Sequence, residues 1–305
     1  MSALTKDVRT VARGWRWTHR PLAPRSVEVP QIEHRDFPTA WARTEAGKAA
    51  RNIVQRYGLA PLLRAELTTR VEGLDVLDTL RPPVIFVANH SSHLDAPLVL
   101  TSLPGRWRER TAVGAAADYF FDVWWRAAAT ALVFNAFPVE RAGARKSTRL
   151  ARDLIGEGWN VVVFPEGTRS PDGWVGEFRQ GAARLAVENG IPAVPVAIRG
   201  SYQAMPRGRG WPVKGRPPVT VRFGRALRPD EGEDAAAFNE RLQRALGSTL
   251  DEDRTTWWDA IRREARGETP SPQGPAGPRW RRVWEASSPL PAHGRRRAWR
   301  TSRGG

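Results

Sequence analysis

Between Leu67 and Arg228 short β-branched runs alternate with stretches of helical periodicity. The runs are "RVEGL", "VIFVAN", "NVVVFPEGTRS", "IPAVPVAIRG" and "PVTVRFG". Between them lie "STRLARDLIGEG", a helix over Ser147–Glu157 closed by Gly156 and Gly158, and "GAARLAVENG", whose end is marked by Asn189-Gly190. Runs this short and apolar need cover on both faces. The pattern predicts an α/β fold, a mixed central sheet flanked by helices, over residues 67–266. In such open sheets ligands bind outside the carboxyl ends of strands. Two polar stretches, after Ala88 and after Phe164, fall at such ends.

Other segments flank this core. Residues 1–40 read as an irregular arm, broken by Pro21, Pro24, Pro30 and Pro38. Residues 41–66 read as a basic amphipathic helical segment, with Ala46, Ala49, Ala50, Ile53, Val54 and Tyr57 on one face and Pro61 dividing it. Such a helix caps a core or rests on a membrane. A helical stretch runs from about Asp234 to Arg266, and residues 267–305 read as a disordered tail rich in Pro, Gly, Ser and Arg. Residues 269–305 hold eight arginines against one acid, Glu285.

The net charge is +16, and only four of the 48 basic residues are lysines. A GC-rich genome gives the same arginine bias, yet a surface this basic attracts anionic headgroups, nucleic acid or acidic carrier proteins. Cysteine is absent, which excludes thiolate catalysis, disulfides and zinc-thiolate sites. The N-terminus lacks the apolar core of a signal peptide. The most apolar stretch, Tyr119–Phe137, is interrupted by Asp122 and Arg126, so no membrane-spanning helix is expected. It suits either a membrane interface or the protein interior. Fourteen tryptophans favour boundaries between apolar and wet surroundings.

In "VIFVANHSSHLDAPLVL" a buried strand delivers Asn89-His90 to its tip, and Asp95 follows one helical turn later. A carboxylate on one imidazole nitrogen fixes the tautomer and frees the other nitrogen to take a proton. Asn89 would hold the turn. His93 reads as a helix-surface histidine. "FPEGTRS" places Pro165, Glu166, Gly167, Thr168, Arg169 and Ser170 in a tight turn at the same sheet edge. Gly167 lets the backbone approach a ligand, and Arg169 offers a fork suited to phosphate. Glu166 would orient an arginine or accept from a substrate hydroxyl. "NAFPVER" ends a strand at Arg141, a second cation for the same anion. Taken one at a time, these are an ordinary helix cap, a salt-bridged turn and a solvated charge.

Together and in this order, the stretches resemble the glycerolipid acyltransferases, typified by 1-acylglycerol-3-phosphate acyltransferase. The family's Asn-His-x4-Asp block is matched by Asn89, His90 and Asp95; its apolar-x-Arg block by Arg141; its Phe-Pro-Glu-Gly-Thr-Arg-Ser block by Phe164–Ser170; and its Val-Pro-Val block by Val194, Pro195 and Val196. Asn135 stands where the family usually has glycine, and asparagine also tolerates left-handed backbone.

The resemblance implies acyl transfer from acyl-coenzyme A or acyl carrier protein to a lysophospholipid, with no metal and no cofactor beyond that co-substrate. It implies His90 as base, Asp95 as its orienter, the Arg141 and Glu166–Arg169 group on the acceptor, and Pro195 near the donor or acyl site. Glycerol 3-phosphate or another lysophospholipid is the alternative acceptor. A peripheral or monotopic place on the cytoplasmic face of the cell membrane, against anionic lipid, follows from substrates with acyl chains. A basic nucleic-acid-binding protein is the remote alternative, and no nucleic-acid motif supports it.

Overall fold

A computed structural model of the chain describes residues 38–121, 123–139 and 145–287. Among these residues the core is a seven-stranded sheet in the order β1-β7-β6-β2-β5-β3-β4. In chain order the strands are β1 (Thr68–Glu72), β2 (Ile85–Ala88), β3 (Thr111–Ala116), β4 (Ala136–Val139), β5 (Asn160–Val163), β6 (Ala193–Arg199) and β7 (Pro218–Phe223). β4, β3, β5, β2 and β6 are parallel; β7 runs antiparallel to β6, and β1 runs parallel to β7. This is the mixed sheet expected from the sequence.

The helices are α1 (Glu45–Ile53), α2 (Ala60–Glu66), α3 (Asp95–Ser102), α4 (Gly105–Arg108), α5 (Ala117–Phe120), α6 (Trp124–Phe134), α7 (Arg145–Gly156), α8 (Gly181–Asn189), α9 (Ser201–Ala204), α10 (Ala235–Asp251), α11 (Trp257–Arg266) and α12 (Arg279–Ser287). They cover both faces. Phe86, Val113, Val162 and Val194 pack toward α3 and Leu67, while Ile85, Val87 and Val161 pack toward α7, α8 and α10 through Leu154, Leu185 and Leu242. The two-sided burial explains why β2, β5 and β6 are apolar at nearly every position.

β2 and β5 are neighbours and end at the same edge. The chain leaves β2 toward β3, beyond β5, and leaves β5 toward β6, on the other side of β2. The crevice between their carboxyl ends is therefore a topological switch point, where α/β sheets bind ligands.

Two expectations about the flanks are corrected. The segment 41–66 is helical, but Pro61 does not break it: α1 passes through a π-type turn over Val54–Leu59 into α2. Its orientation is the reverse of the usual one. Gly47, Arg51 and Gln55 point inward, whereas Ile53 and Tyr57 are 60% and 71% exposed. Arg51 Nη1 donates to Ala42 O at 2.7 Å and Gln55 Nε2 to Val133 O at 2.6 Å. Gly47 presses against the carbonyls of Trp41 and Ala42 so closely that a Cβ would lie 2.7 Å from each. Polar side chains bonded to backbone carbonyls and a residue without a side chain make the tight contact, so the apolar stripe faces out.

The tail expected from residue 267 is folded as far as Ser287. Residues 268–278 lie against the domain and lead into α12, where Arg282 reaches Asp172 and the carbonyls of Gln273 and Pro275. Residues 288–305 and most of the irregular arm lie outside the described residues. The Tyr119–Phe137 stretch divides: Phe121, Ala127 and Ala131 are buried, whereas Trp124 and Trp125 are exposed. Among the described residues no helix is long and apolar enough to cross a membrane.

Candidate active site

β2 ends at Ala88 in the middle of the sheet, and the next two residues begin the site. Asn89 extends the sheet with its side chain. Its Nδ2 donates to Ile198 O at 2.9 Å, and its Oδ1 accepts from Ile198 N at 2.7 Å, the pair of bonds a peptide group would make to β6. This holds the turn that the sequence assigned to Asn89, and it fixes where His90 starts.

His90 Nδ1 lies 2.9 Å from Asp95 Oδ2. Asp95 is the first residue of α3 and fully buried. The same Oδ2 accepts the backbone N–H groups of Ser91 at 2.7 Å and Ser92 at 2.8 Å. Three donors on one carboxylate oxygen place the shared proton on Nδ1 and leave Nε2 with its lone pair. The carboxylate also sits at the amino end of α3, where the helix dipole favours negative charge. The ring stacks on Phe164, centroids 4.3 Å apart, and the side chain keeps 21% exposure. Ser92 Oγ, bonded to Met205 O at 2.8 Å, and Ser91 Oγ, 2.9 Å from Ser201 Oγ, tie the turn to α9 and its carboxyl end.

The second turn follows β5. Gly167 N donates to Phe164 O at 3.1 Å, and Gly167 has φ +69°, a left-handed conformation. A Cβ there would lie 2.9 Å from Arg179 Nε. The left-handed backbone favours glycine at this position, and a Cβ would also displace the Arg179 side chain. Pro165 O accepts Arg179 N at 2.9 Å, and Ser170 N donates to His90 O at 2.7 Å, so the two turns are joined. Thr168 is exposed at the tip and Arg169 is half-buried beside it.

Glu166 is buried between two backbone donors. Its Oε1 accepts His90 N at 2.6 Å and its Oε2 accepts Gly176 N at 2.7 Å. Both oxygens accept backbone N–H groups, so Glu166 braces the turn that carries the histidine. Burial pushes its carboxyl up to about 8 against the pull of those N–H groups, and the charges of Asp95 and Asp172 add to the rise.

His93 is corrected as well. It is no helix-surface residue but sits half-buried in the site, its ring edge-on to Phe120 at 5.9 Å. Burial first, then the nearby charges of Arg169 and His90, lower it to about 4, so it is neutral at physiological pH. Its position between His90 and Asp95 was the available signal.

Pro195 lies inside the sheet, paired with Val87 and accepting Gly224 N at 2.8 Å, and does not reach the edge. Arg141 lies outside the described residues, two beyond the end of β4. Asn135 adopts the left-handed backbone expected of it, φ 49°, and its Nδ2 donates to Thr111 O at 3.2 Å.

The arrangement can take a proton from a hydroxyl at the open edge, beside a glycine turn and a guanidinium suited to an anion. Residues 68–199 match the family model described as Acyltransferase. A chloroplastic 1-acyl-sn-glycerol-3-phosphate acyltransferase of Brassica napus is 32% identical over 143 residues, 46% of this chain and 40% of the relative. A Chlamydomonas reinhardtii protein of the same name is 31% identical over 171 residues, 55% and 48% of the two chains. The chain thus spans less than half the length of these relatives. The solved 1-acyl-sn-glycerophosphate acyltransferase PlsC of Thermotoga maritima shares the fold, with a TM-score of 0.52, 24% identity, and coverage of 71% of this chain and 84% of that one.

Proposed function

We propose that this chain, whose residues 68–199 match the Acyltransferase family model, moves a fatty acyl group from a thioester donor to the sn-2 hydroxyl of 1-acylglycerol 3-phosphate, giving phosphatidic acid. The observation that carries the reading is the buried Asp95 carboxylate, held by two backbone N–H groups and by His90 Nδ1. It points Nε2 toward the open edge as a base.

In the reaction Nε2 takes the acceptor hydroxyl proton as the oxygen attacks the thioester carbonyl. The tetrahedral intermediate collapses, the C–S bond breaks, and the leaving thiolate recovers the proton from His90. No acyl-enzyme is needed, in keeping with a chain without cysteine. Arg169 and Arg141 bind the acceptor phosphate, and the exposed Thr168 tip lies beside it. Glu166 and Ser170 act through the backbone of His90. The donor is acyl-coenzyme A or acyl carrier protein.

The acceptor is lipid, and the outward apolar stripe of the helix from Glu45 to Glu66, with Tyr57 and Ile53 on it, supports peripheral or monotopic attachment to the cytoplasmic leaflet. The test incubates labelled long-chain acyl-coenzyme A and 1-acylglycerol 3-phosphate with wild-type protein and with His90→Ala. Labelled phosphatidic acid from the wild type alone is expected. Near-normal turnover by the variant would refute His90 as base. Product from neither, with acyl carrier protein donors also tried, would refute the acceptor assignment.

A further inference from the structure

α12 lies beyond the family segment, yet it is fastened to the loop that continues from the acceptor turn. Arg282 Nε donates to Asp172 Oδ2 at 2.5 Å, while its other nitrogens hold Pro275 O and Gln273 O, each at 2.9 Å. Trp174 Nε1 donates back to Arg282 O at 2.9 Å, and Gly274 packs flat on the Trp174 ring. Asp172 in turn bonds Ser170 Oγ at 3.2 Å, and Ser170 N bonds His90 O. The inner side of the helix is thus linked through three residues to the backbone of the histidine.

The outer side is unlike the surface of an ordinary surface helix. Trp280 and Trp284, four residues apart and so on one face, are 71% and 68% exposed. Arg279 and Arg281 flank Trp280; Arg279 also donates to Pro171 O at 3.2 Å, and Arg281 pairs with Glu285, the neighbour of Trp284, at 2.9 Å. In sequence the helix runs into residues 288–305, which contain five arginines and no acid. Exposed indoles bordered by guanidinium groups, followed by a polybasic run, match a bilayer interface with anionic headgroups in both chemistry and charge.

We infer that α12 is an interfacial helix whose Trp280–Trp284 face docks on anionic lipid while Arg282 holds the acceptor loop at that surface. The inference deepens the proposed acyl transfer by naming the element that presents the site to its lipid acceptor. A helix with this role couples two events: docking steadies the strap, and the strap steadies the turn that binds the acceptor.

The experiment sediments the full chain with equimolar phosphatidylcholine–phosphatidylglycerol vesicles at low salt. It compares wild type, Trp280→Ala/Trp284→Ala and Arg282→Ala. The tryptophan pair is expected to weaken binding by roughly 10–100-fold. Wild type that fails to bind, or a double variant that binds as wild type does, overturns the inference whatever reaction the protein performs. A second arm measures acyl transfer to acceptor embedded in the vesicles and to short-chain acceptor dispersed as monomers. The tryptophan variant should lose activity only on vesicles, and Arg282→Ala should raise KM for both acceptors with kcat retained. Equal losses on both acceptors from the tryptophan pair would also overturn it, as would an Arg282→Ala that changes kcat alone.

Discussion

Glu166 offers the sharpest test of how the site is built. Both of its oxygens accept backbone N–H groups, from His90 and Gly176, and it is 7% exposed. Burial raises it from 4.5 to about 8. In the unfolded chain the carboxyl ionises near its ordinary value, whereas in the folded protein it keeps its proton until the pH approaches the raised value. Its contribution to stability is therefore complete below the unfolded pKa and is lost as pH rises through the folded one. The gap between 4.5 and 8 corresponds to about 5 kcal/mol as a ceiling. Replacement by glutamine removes the ionisation, keeps one acceptor, and turns an amide N–H₂ toward the second backbone donor. That mismatch costs about 1–3 kcal/mol. Urea unfolding at steps between about pH 5 and 9 reads both terms. Glu166→Gln is expected to be the less stable protein at the acid end. The difference should close as pH rises and reverse before the alkaline end, since the ceiling exceeds the mismatch. All other groups titrate alike in the two proteins, so their difference isolates residue 166. A gap that stays constant, or widens with pH, would refute the reasoning: it would mean that the two N–H donors hold the carboxylate ionised.

Other perturbations probe the neighbouring turns. Asp95→Asn puts an amide against the Ser91 and Ser92 N–H groups and reverses the tautomer preference of His90; steady-state kinetics should show kcat lowered about 10²–10⁴-fold. Gly167→Ala forces a Cβ into a left-handed residue 2.9 Å from Arg179 Nε and should destabilise by about 1–3 kcal/mol in denaturant melts. At Asn135 glycine should cost less than alanine, because the φ of 49° penalises alanine by about 1–2 kcal/mol; equal losses would show that the bond to Thr111 O, and not the backbone, is what asparagine supplies.

Much of the sheet was readable because its strands are β-branched and apolar on both sides. β3, "TAVGAA", escaped notice: its small residues carry little periodic signal, and its place is set by pairing with β4 and β5. The histidine and its carboxylate were legible because one helical turn brings them together locally. The role of Glu166 was not, since its partners are backbone groups of residues 90 and 176, which sequence spacing does not relate. For the same reason residues 268–287 looked unstructured. Their proline and glycine content gives no periodicity, and their order comes from long-range bonds: Arg282 to Asp172, Trp174 Nε1 to Arg282 O and Val175 N to Pro272 O. The outward turn of Ile53 and Tyr57 reflects the buried hydrogen bonds of Arg51 to Ala42 and of Gln55 to the distant Val133, which amphipathicity alone does not rank.

That outward stripe sets how the protein behaves in a test tube. Without lipid, the exposed Ile53–Tyr57 side of one copy is expected to pair with the same side of another, since burying it expels water. Preparations free of detergent are expected to self-associate, and adding charge at Ile53 or Tyr57 to restore single particles, as light scattering would read.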